Sequence, residues 1–208
     1  LIPVAGADTY EVSIVTFAST ATINANKVVI DTVATRTALA TAVASYGYSG
    51  GVTNYADAFT KMTTALSGST LSVDASFVNF ATDGAPTTGG SPGISDNQVG
   101  INARNAAIDA GVDNISIEGI GVTASTASNL VTNYCFPGPC DQTSPYTFPT
   151  TGFYIGVADA TGYAAAIGNK VRVVTNQPVV PEPSTVILFG TGLAGLAAWR
   201  MRKAKQTA

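Results

Sequence analysis

The chain has 208 residues, of which 11% are charged, and it contains no histidine. Four of its ten basic residues fall between positions 200 and 205, and the rest of the chain has six basic residues against thirteen acidic ones. This acidic balance excludes the clustered basic face that nucleic-acid binding requires. The missing histidine excludes a hydrolase built on a serine–histidine pair. Without its C-terminal tail, the chain has the length of one ordinary domain.

Strands and helices alternate along most of the sequence. In chain order, the predicted elements are strands at 12–17 and 21–30, helices at 32–44 and 55–66, a strand at 77–82, a helix from 97 or 98 to 110, a strand at 115–122, a helix at 125–132, a strand at 153–157 and a helix at 158–172. The strands are runs rich in β-branched and aromatic residues. The helix at 55–66 has Thr53 or Asn54 as its candidate N-cap. This alternation predicts an α/β fold with helices on both faces of a mostly parallel sheet.

Two segments carry the candidate binding residues. Thr53 follows a glycine turn and enters a helix, and Asp83 stands just after the predicted strand at 77–82. Residues beyond the ends of parallel strands face one shared crevice, where ligands bind in such folds. A hydroxyl and a carboxylate are hard oxygen ligands suited to Mg²⁺, Mn²⁺ or Ca²⁺. The alternative is that Thr53 caps its helix and Asp83 only makes a turn with Gly84.

These segments resemble the von Willebrand factor A (VWA) domain family. The matching pieces, in the family's order, are Val15–Ser19, Gly50–Tyr55, Thr82–Pro86, Asn105–Gly111, 117–122 and 153–172. The resemblance implies a Rossmann-like fold over residues 1–174. It also implies a metal-ion-dependent adhesion site in which Thr53 coordinates Mg²⁺ or Mn²⁺ and Asp83 does so directly or through water. The open position of the cation would accept an acidic side chain from a partner.

The chain departs from that family at its N-terminal end. The family has an Asp-x-Ser-x-Ser loop after its first strand, and Asp8-Thr9 is not a substitute for it. The few residues before the strand at 12–17 are too short for the family's first strand and helix. We therefore expect an N-terminally incomplete VWA-like domain with an incomplete metal site. Leu1 is not a start methionine, and we interpret the chain as a fragment or a processed form.

The C-terminal tail has the order of a membrane anchor. A proline-rich linker at 175–184 precedes an apolar run at 185–199, and basic residues follow at Arg200, Arg202, Lys203 and Lys205. A helix over the apolar run would be about 22 Å long, somewhat short for a hydrocarbon core of about 30 Å. Because positive charge favours the cytoplasmic side, we expect a transmembrane segment at 185–199, a cytoplasmic tail at 200–208 and an outward-facing domain.

The start of this tail resembles a bacterial sorting signal. Pro181, Glu182, Pro183 and Ser184 match the opening of the PEP-CTERM tag. The resemblance implies an exosortase-type processing enzyme, a Gram-negative host and a position at the cell surface or in the extracellular matrix.

Cys135 and Cys140 are the chain's two cysteines, and Pro137-Gly138 between them is a turn dipeptide. A turn brings the two sulfurs together, and an outward-facing domain lies in an oxidising compartment. We therefore predict a disulfide. The alternative, half of a metal site, lacks further cysteine or histidine ligands.

The sequence thus predicts a non-enzymatic function. We expect an exported surface or matrix protein that binds a protein partner through the VWA-like domain. The alternative is a structural matrix protein without a metal-dependent ligand. A polysaccharide hydrolase would need a close pair of carboxylates, and near the crevice the loops offer only Asp83 and Asp96.

Overall fold

The computed structural model describes residues 9–46, 51–69, 71–159, 161–163 and 166. Within this part of the chain the elements are β1 (Tyr10–Phe17), β2 (Ala21–Ile30), α1 (Val33–Ala44), α2 (Tyr55–Leu66), β3 (Phe77–Thr82), α3 (Asp96–Asp109), β4 (Asn114–Ile120), α4 (Ala124–Asn133) and β5 (Tyr154–Val157). Each overlaps an element predicted from the sequence, with ends that differ by two residues at most.

Each helix begins at a polar residue whose side chain accepts a hydrogen bond from the backbone three positions later. These N-caps are Thr32, Asn54, Ser95 and Thr123. Such a cap satisfies one of the first backbone N–H groups, which have no partner inside the helix. The sequence left Thr53 and Asn54 as candidate N-caps of α2, and in the structure Asn54 is the N-cap. Thr53 therefore does not cap the helix with its side chain.

The strands form two separate ladders among the described residues. β3, β4 and β5 make a parallel sheet with β4 in the centre, and β1 pairs antiparallel with β2. The α/β fold and the parallel sheet are confirmed, and among the described residues β1 and β2 form an antiparallel pair outside that sheet. Only residues 18–20 separate β1 from β2. So short a connection joins antiparallel neighbours, because a parallel pair needs a crossover.

One aromatic cluster forms the centre of the core. The ring of Phe80 on β3 stacks on Phe59 of α2, with centroids 4.8 Å apart, and Tyr55 meets both Phe80 and Tyr134 edge to face at 5.0 Å. Ala107 of α3 and Leu130 of α4 are fully buried in the same cluster. The three helices α2, α3 and α4 therefore cover one face of the parallel sheet.

The opposite face of this sheet contacts the helical residues that follow β5. Asn79 and Glu118 face away from α2, since their neighbours Phe80 and Ile117 point towards it. Tyr163 hydrogen-bonds to Asn79, and burial raises the pKa of Tyr163 to about 12, with the charge of Glu118 adding to the rise. This contact agrees with helices on both faces of the sheet.

Several predictions fall on residues outside the described part. They are most of the helix at 158–172, the linker at 175–184, the apolar run at 185–199 and the basic tail at 200–208. In the part that is described, no helix combines the length and the apolar character needed to cross a membrane.

Candidate functional site

The N-terminus of α2 meets the ends of two strands. The backbone N–H of Asn54 donates to the carbonyl of Ala18 just after β1, at 2.9 Å, and its side-chain amide donates to the carbonyl of Ser19, at 3.1 Å. Its side-chain oxygen accepts from the backbone N–H of Asp57, at 3.0 Å. Asn54 therefore begins the helix and holds the turn after β1 at the same time.

Thr53 lies against the turn that follows β3. A Cβ atom built on Gly84 would be 3.8 Å from the Thr53 hydroxyl oxygen. The backbone of Thr53 is fixed from the other side, because it exchanges hydrogen bonds of 2.8 and 2.9 Å with the backbone and side chain of Thr87. Thr53 is half-buried, whereas Asp83 is exposed. The fold thus brings the predicted hydroxyl next to the Asp83-Gly84 turn.

The turn itself is held by Tyr55 and Thr82. The Tyr55 hydroxyl lies 3.0 Å from the hydroxyl of Thr82 and donates to the carbonyl of Gly84, and the N–H of Gly84 points at the Thr82 hydroxyl. Burial raises the pKa of Tyr55 to about 12, the hydrogen bond between Tyr55 and Thr82 opposes the rise, and the charge of Asp83 adds to it. No hydrogen bond joins the Asp83 carboxylate to the described residues, so it faces solvent without holding the turn.

The loop between β3 and α3 closes over the start of α2. Gly89 has φ +107°, and a Cβ atom there would come within 2.6 Å of the Asn54 side-chain oxygen. A side chain at this position is thus excluded by conformation and by space. Further along, the N–H of Gly90 donates to Asp96 at 2.7 Å. Asp96 therefore holds its own loop.

Sequence reasoning missed two residues at this edge. Asp57, in the first turn of α2, accepts a hydrogen bond of 2.6 Å from the backbone N–H of Ala21 at the start of β2. Tyr55 joins the helix to the turn after β3. The sequence shows Asp57 as an acid three residues after the N-cap, which is a helix-start signal. It does not show that Asp57 also accepts a hydrogen bond from Ala21.

The described residues supply only part of a cation site. They contain no cluster of three or more histidine, cysteine, aspartate or glutamate side chains that could hold a metal ion. Thr53 and Asp83 offer one hydroxyl and one carboxylate, whereas Mg²⁺ takes octahedral coordination by oxygen. Water or a further segment would have to provide the other ligands of a cation bound at this edge.

The two cysteines lie away from this edge and form a disulfide, as predicted. Cys135 and Cys140 have Cα atoms 6.2 Å apart. Phe136 exchanges backbone hydrogen bonds of 2.8 and 2.9 Å with Ile115 of β4. Arg104 of α3 donates to the carbonyls of Tyr134 and Cys135, at 3.1 and 2.7 Å, and burial lowers its pKa. The disulfide loop is thus tied to the sheet and to α3.

Comparisons with known proteins identify the tail and the fold. The PEP-CTERM protein-sorting motif matches residues 179–203, which confirms the sorting signal at Pro181, Glu182, Pro183 and Ser184. The match also covers the basic residues Arg200, Arg202 and Lys203. This motif implies export of the chain and its sorting by exosortase-type processing. No curated protein matches the chain.

Solved structures with low sequence identity match the chain. The crystal structure of the pilus adhesin SpaC from Lactobacillus rhamnosus GG has a TM-score of 0.51 and 14% identity, covering 78% of this chain and 24% of SpaC. The conserved hypothetical protein BatB from Bacteroides thetaiotaomicron has a TM-score of 0.46 and 14% identity, covering 77% of each chain. The chain spans about a quarter of the length of SpaC, and at this identity the likeness is one of fold alone.

Proposed function

We propose that this chain is an exported binding protein of the cell surface or extracellular matrix, built on a VWA-like domain. The carrying observation is that Thr53 lies against the Asp83-Gly84 turn at the carboxyl end of β3. This edge of a parallel sheet is where α/β folds bind their ligands. The PEP-CTERM motif supports a setting outside the cytoplasm, and the likeness to an adhesin supports the choice of fold.

The role proposed for Thr53 and Asp83 is to hold a divalent cation, Mg²⁺ or Mn²⁺, at this edge. The Asp83 carboxylate is exposed and makes no hydrogen bond within the described residues, so it is available to a cation. The half-buried Thr53 hydroxyl offers a second oxygen from a backbone fixed by Thr87. With only two protein ligands, binding is weak, and an acidic side chain of a surface or matrix protein would complete the coordination.

The membrane topology proposed for the tail follows from its charges. The apolar run at 185–199 spans the membrane, Arg200, Arg202 and Lys203 stop it on the cytoplasmic side, and the domain faces outward. An exosortase-type enzyme then acts at the Pro181–Pro183 segment. The proposed function is non-enzymatic, because a glycosidase needs a pair of carboxylates and Asp96, the other acid near this edge, accepts a hydrogen bond from its own loop.

The second candidate is a structural matrix protein that binds no ligand through this edge. The small set of ligands favours it, because the described residues contain no cluster of three or more side chains that could hold a metal ion. The two candidates differ in a single measurable property, which is cation binding that depends on Asp83.

Titration of the full chain in mild detergent with Mn²⁺, followed by water proton relaxation, tests the proposal. We expect weak binding that Mg²⁺ displaces, that Asp83→Ala abolishes and that Asp74→Ala leaves unchanged. Asp74 is the matched control, because it is an exposed loop aspartate away from this edge. Binding that is absent, or equal in the Asp83 and Asp74 variants, would remove the cation site and leave the structural candidate.

A further inference from the structure

Tyr154 on β5 carries a hydroxyl that the fold does not use. The residue is 8% exposed, and its side chain belongs to the hydrophobic core. Its backbone N–H donates to the carbonyl of Asp141, whereas its hydroxyl has no hydrogen-bond partner among the described residues. Buried polar groups are nearly always paired, because an unpaired one destabilises the fold. This hydroxyl is therefore a candidate donor for a ligand.

Two glycines leave space around this hydroxyl. Gly119 of β4 and Gly156 of β5 are register partners near the carboxyl ends of their strands. A Cβ atom at Gly119 would clash with the Tyr154 hydroxyl, and one at Gly156 would lie 3.4 Å from it. Gly156 is exposed. A group from solvent can therefore approach the Tyr154 hydroxyl along Gly156.

The helix α4 begins beside the same hydroxyl. Val122 directly precedes the N-cap Thr123, and its methyl group would lie 2.7 Å from a Cβ atom at Gly119. The backbone N–H groups of Ala124 and Ser125 have no partner among the described residues, as is usual in the first turn of a helix. Both residues are exposed. The start of a helix carries a partial positive charge, which favours an anion.

This position adjoins the edge at which Asp83 lies. Thr82, which precedes Asp83, is the register partner of Gly119 on the neighbouring strand. Burial raises the pKa of Tyr55, and the charges of Asp83 and Tyr154 both add to the rise. The hydroxyl of Tyr154 and the Asp83 turn therefore lie on either side of Tyr55, at the ends of neighbouring strands.

The charges nearby favour a small anion of single charge. Asp159 follows β5 and accepts hydrogen bonds from the backbone N–H groups of Thr161 and Gly162, both at 2.9 Å. Residues 119–159 contain no lysine or arginine, so an anion here is held by hydrogen bonds and the helix dipole. Because Asp83 and Asp159 repel negative charge, a carboxylate is favoured over a phosphate or sulfate. A carboxylate also accepts several hydrogen bonds at once.

We propose that the Tyr154 hydroxyl and the N-terminus of α4 form a binding site for a carboxylate of the partner protein. The carboxylate accepts hydrogen bonds from this hydroxyl and from the N–H groups of Ala124 and Ser125. Gly119 and Gly156 leave the space that it occupies. The inference rests on the function proposed above for the acidic character of the partner, but the site itself needs no cation.

Acetate is the probe, and amide chemical shifts of the isotope-labelled full chain in mild detergent measure its binding. EDTA removes cations, and sodium chloride keeps the ionic strength constant. We expect saturable shifts of the amides of Ala124 and Ser125. Tyr154→Phe should weaken acetate binding on the order of tenfold, because a hydrogen bond to a charged group is lost. Tyr146→Phe is the matched control, since Tyr146 lies in the loop before β5 and stacks on Phe153; it should leave the affinity unchanged.

The substitution of Tyr154 removes an oxygen that bonds to no described residue, so the variant is expected to fold. Equal acetate affinity in Tyr154→Phe and the parent would overturn the proposal. So would shifts that chloride alone reproduces, or the absence of a saturable shift. Acetate binding in a chain that does not bind Mn²⁺ would keep this site and remove the cation site, and the opposite result would remove this site alone.

Discussion

Replacing Tyr55 by phenylalanine removes one oxygen atom from the point where α2 meets the end of β3. The ring is fully buried between Phe80 and Tyr134 and stays in place after the substitution. The hydroxyl contacts the Thr82 hydroxyl at 3.0 Å and the carbonyl of Gly84. The Thr82 hydroxyl is itself 3.0 Å from that carbonyl, so the carbonyl keeps one donor.

The expected loss of stability at neutral pH follows from this geometry. A net hydrogen bond contributes about 1 kcal/mol, and a buried group left without a partner costs somewhat more. Because the Thr82 hydroxyl still donates to the carbonyl of Gly84, we expect Tyr55→Phe to lower the free energy of unfolding by about 1–2 kcal/mol. For a domain of this size, that corresponds to a decrease in Tm of roughly 2–8 °C.

The alkaline range provides a sharper test. Burial raises the pKa of Tyr55 from its ordinary value of 10.0 to about 12 in the folded protein. The folded state therefore favours the protonated phenol, and the resulting stability is complete below pH 10 and lost as the pH rises towards 12. A rise of this size corresponds to about 3 kcal/mol. The phenylalanine variant has no such group to ionise. Its free energy of unfolding, plotted against pH, should therefore cross that of the parent at about pH 11.

Urea unfolding followed by far-ultraviolet circular dichroism measures these curves. Trp199 lies in the tail, so tryptophan fluorescence does not report on the domain. Tyr46→Phe is the control, since it makes the same chemical change at a half-exposed tyrosine. Equal stability of Tyr55→Phe and the parent at pH 7, together with parallel curves up to pH 12, would refute the role given to this hydroxyl.

Two further predictions concern the packing around the sheet. Reduction of the disulfide, or Cys140→Ser, should lower the free energy of unfolding by about 2 kcal/mol in the chain-entropy model for so short a loop. The urea midpoints with and without reductant measure this loss, and an unchanged midpoint would contradict it. Gly119→Ala should cost about 1–3 kcal/mol by overpacking, because its Cβ would clash with the Tyr154 hydroxyl and lie 2.7 Å from Val122. Gly138→Ala, where no atom lies within 4 Å, should be nearly neutral, and equal effects of the two alanines would show that the clash is relieved.

Local signals were enough to predict the elements and the disulfide. Residues 77–82 are a short run bounded by a turn signal, and their strand character needs no distant partner. Cys135 and Cys140 are joined by a turn dipeptide, which places the sulfurs together whatever surrounds them. The sorting signal at Pro181–Ser184 is likewise a contiguous pattern, and the family match covers it.

Pairing and contacts between distant residues were not predictable in the same way. The strand alternation favoured one mostly parallel sheet, yet β1 and β2 form their own antiparallel ladder because residues 18–20 allow only a tight reversal. The sequence also left the N-cap of α2 open between Thr53 and Asn54. Asn54 is used because its amide and backbone N–H also bind the turn after β1, a contact over 35 residues.

The sequence by itself determined the helices, the strands, the disulfide and the tail signal, because each rests on neighbouring residues and on side-chain periodicity. Only the tertiary structure decided that the Thr53 hydroxyl lies against the Asp83-Gly84 turn, and that Tyr55 holds this turn in place of Asp83. It also placed β1 beside β3 without joining them. These features depend on how α2 packs across both ladders, and packing between distant segments leaves no local pattern in the chain.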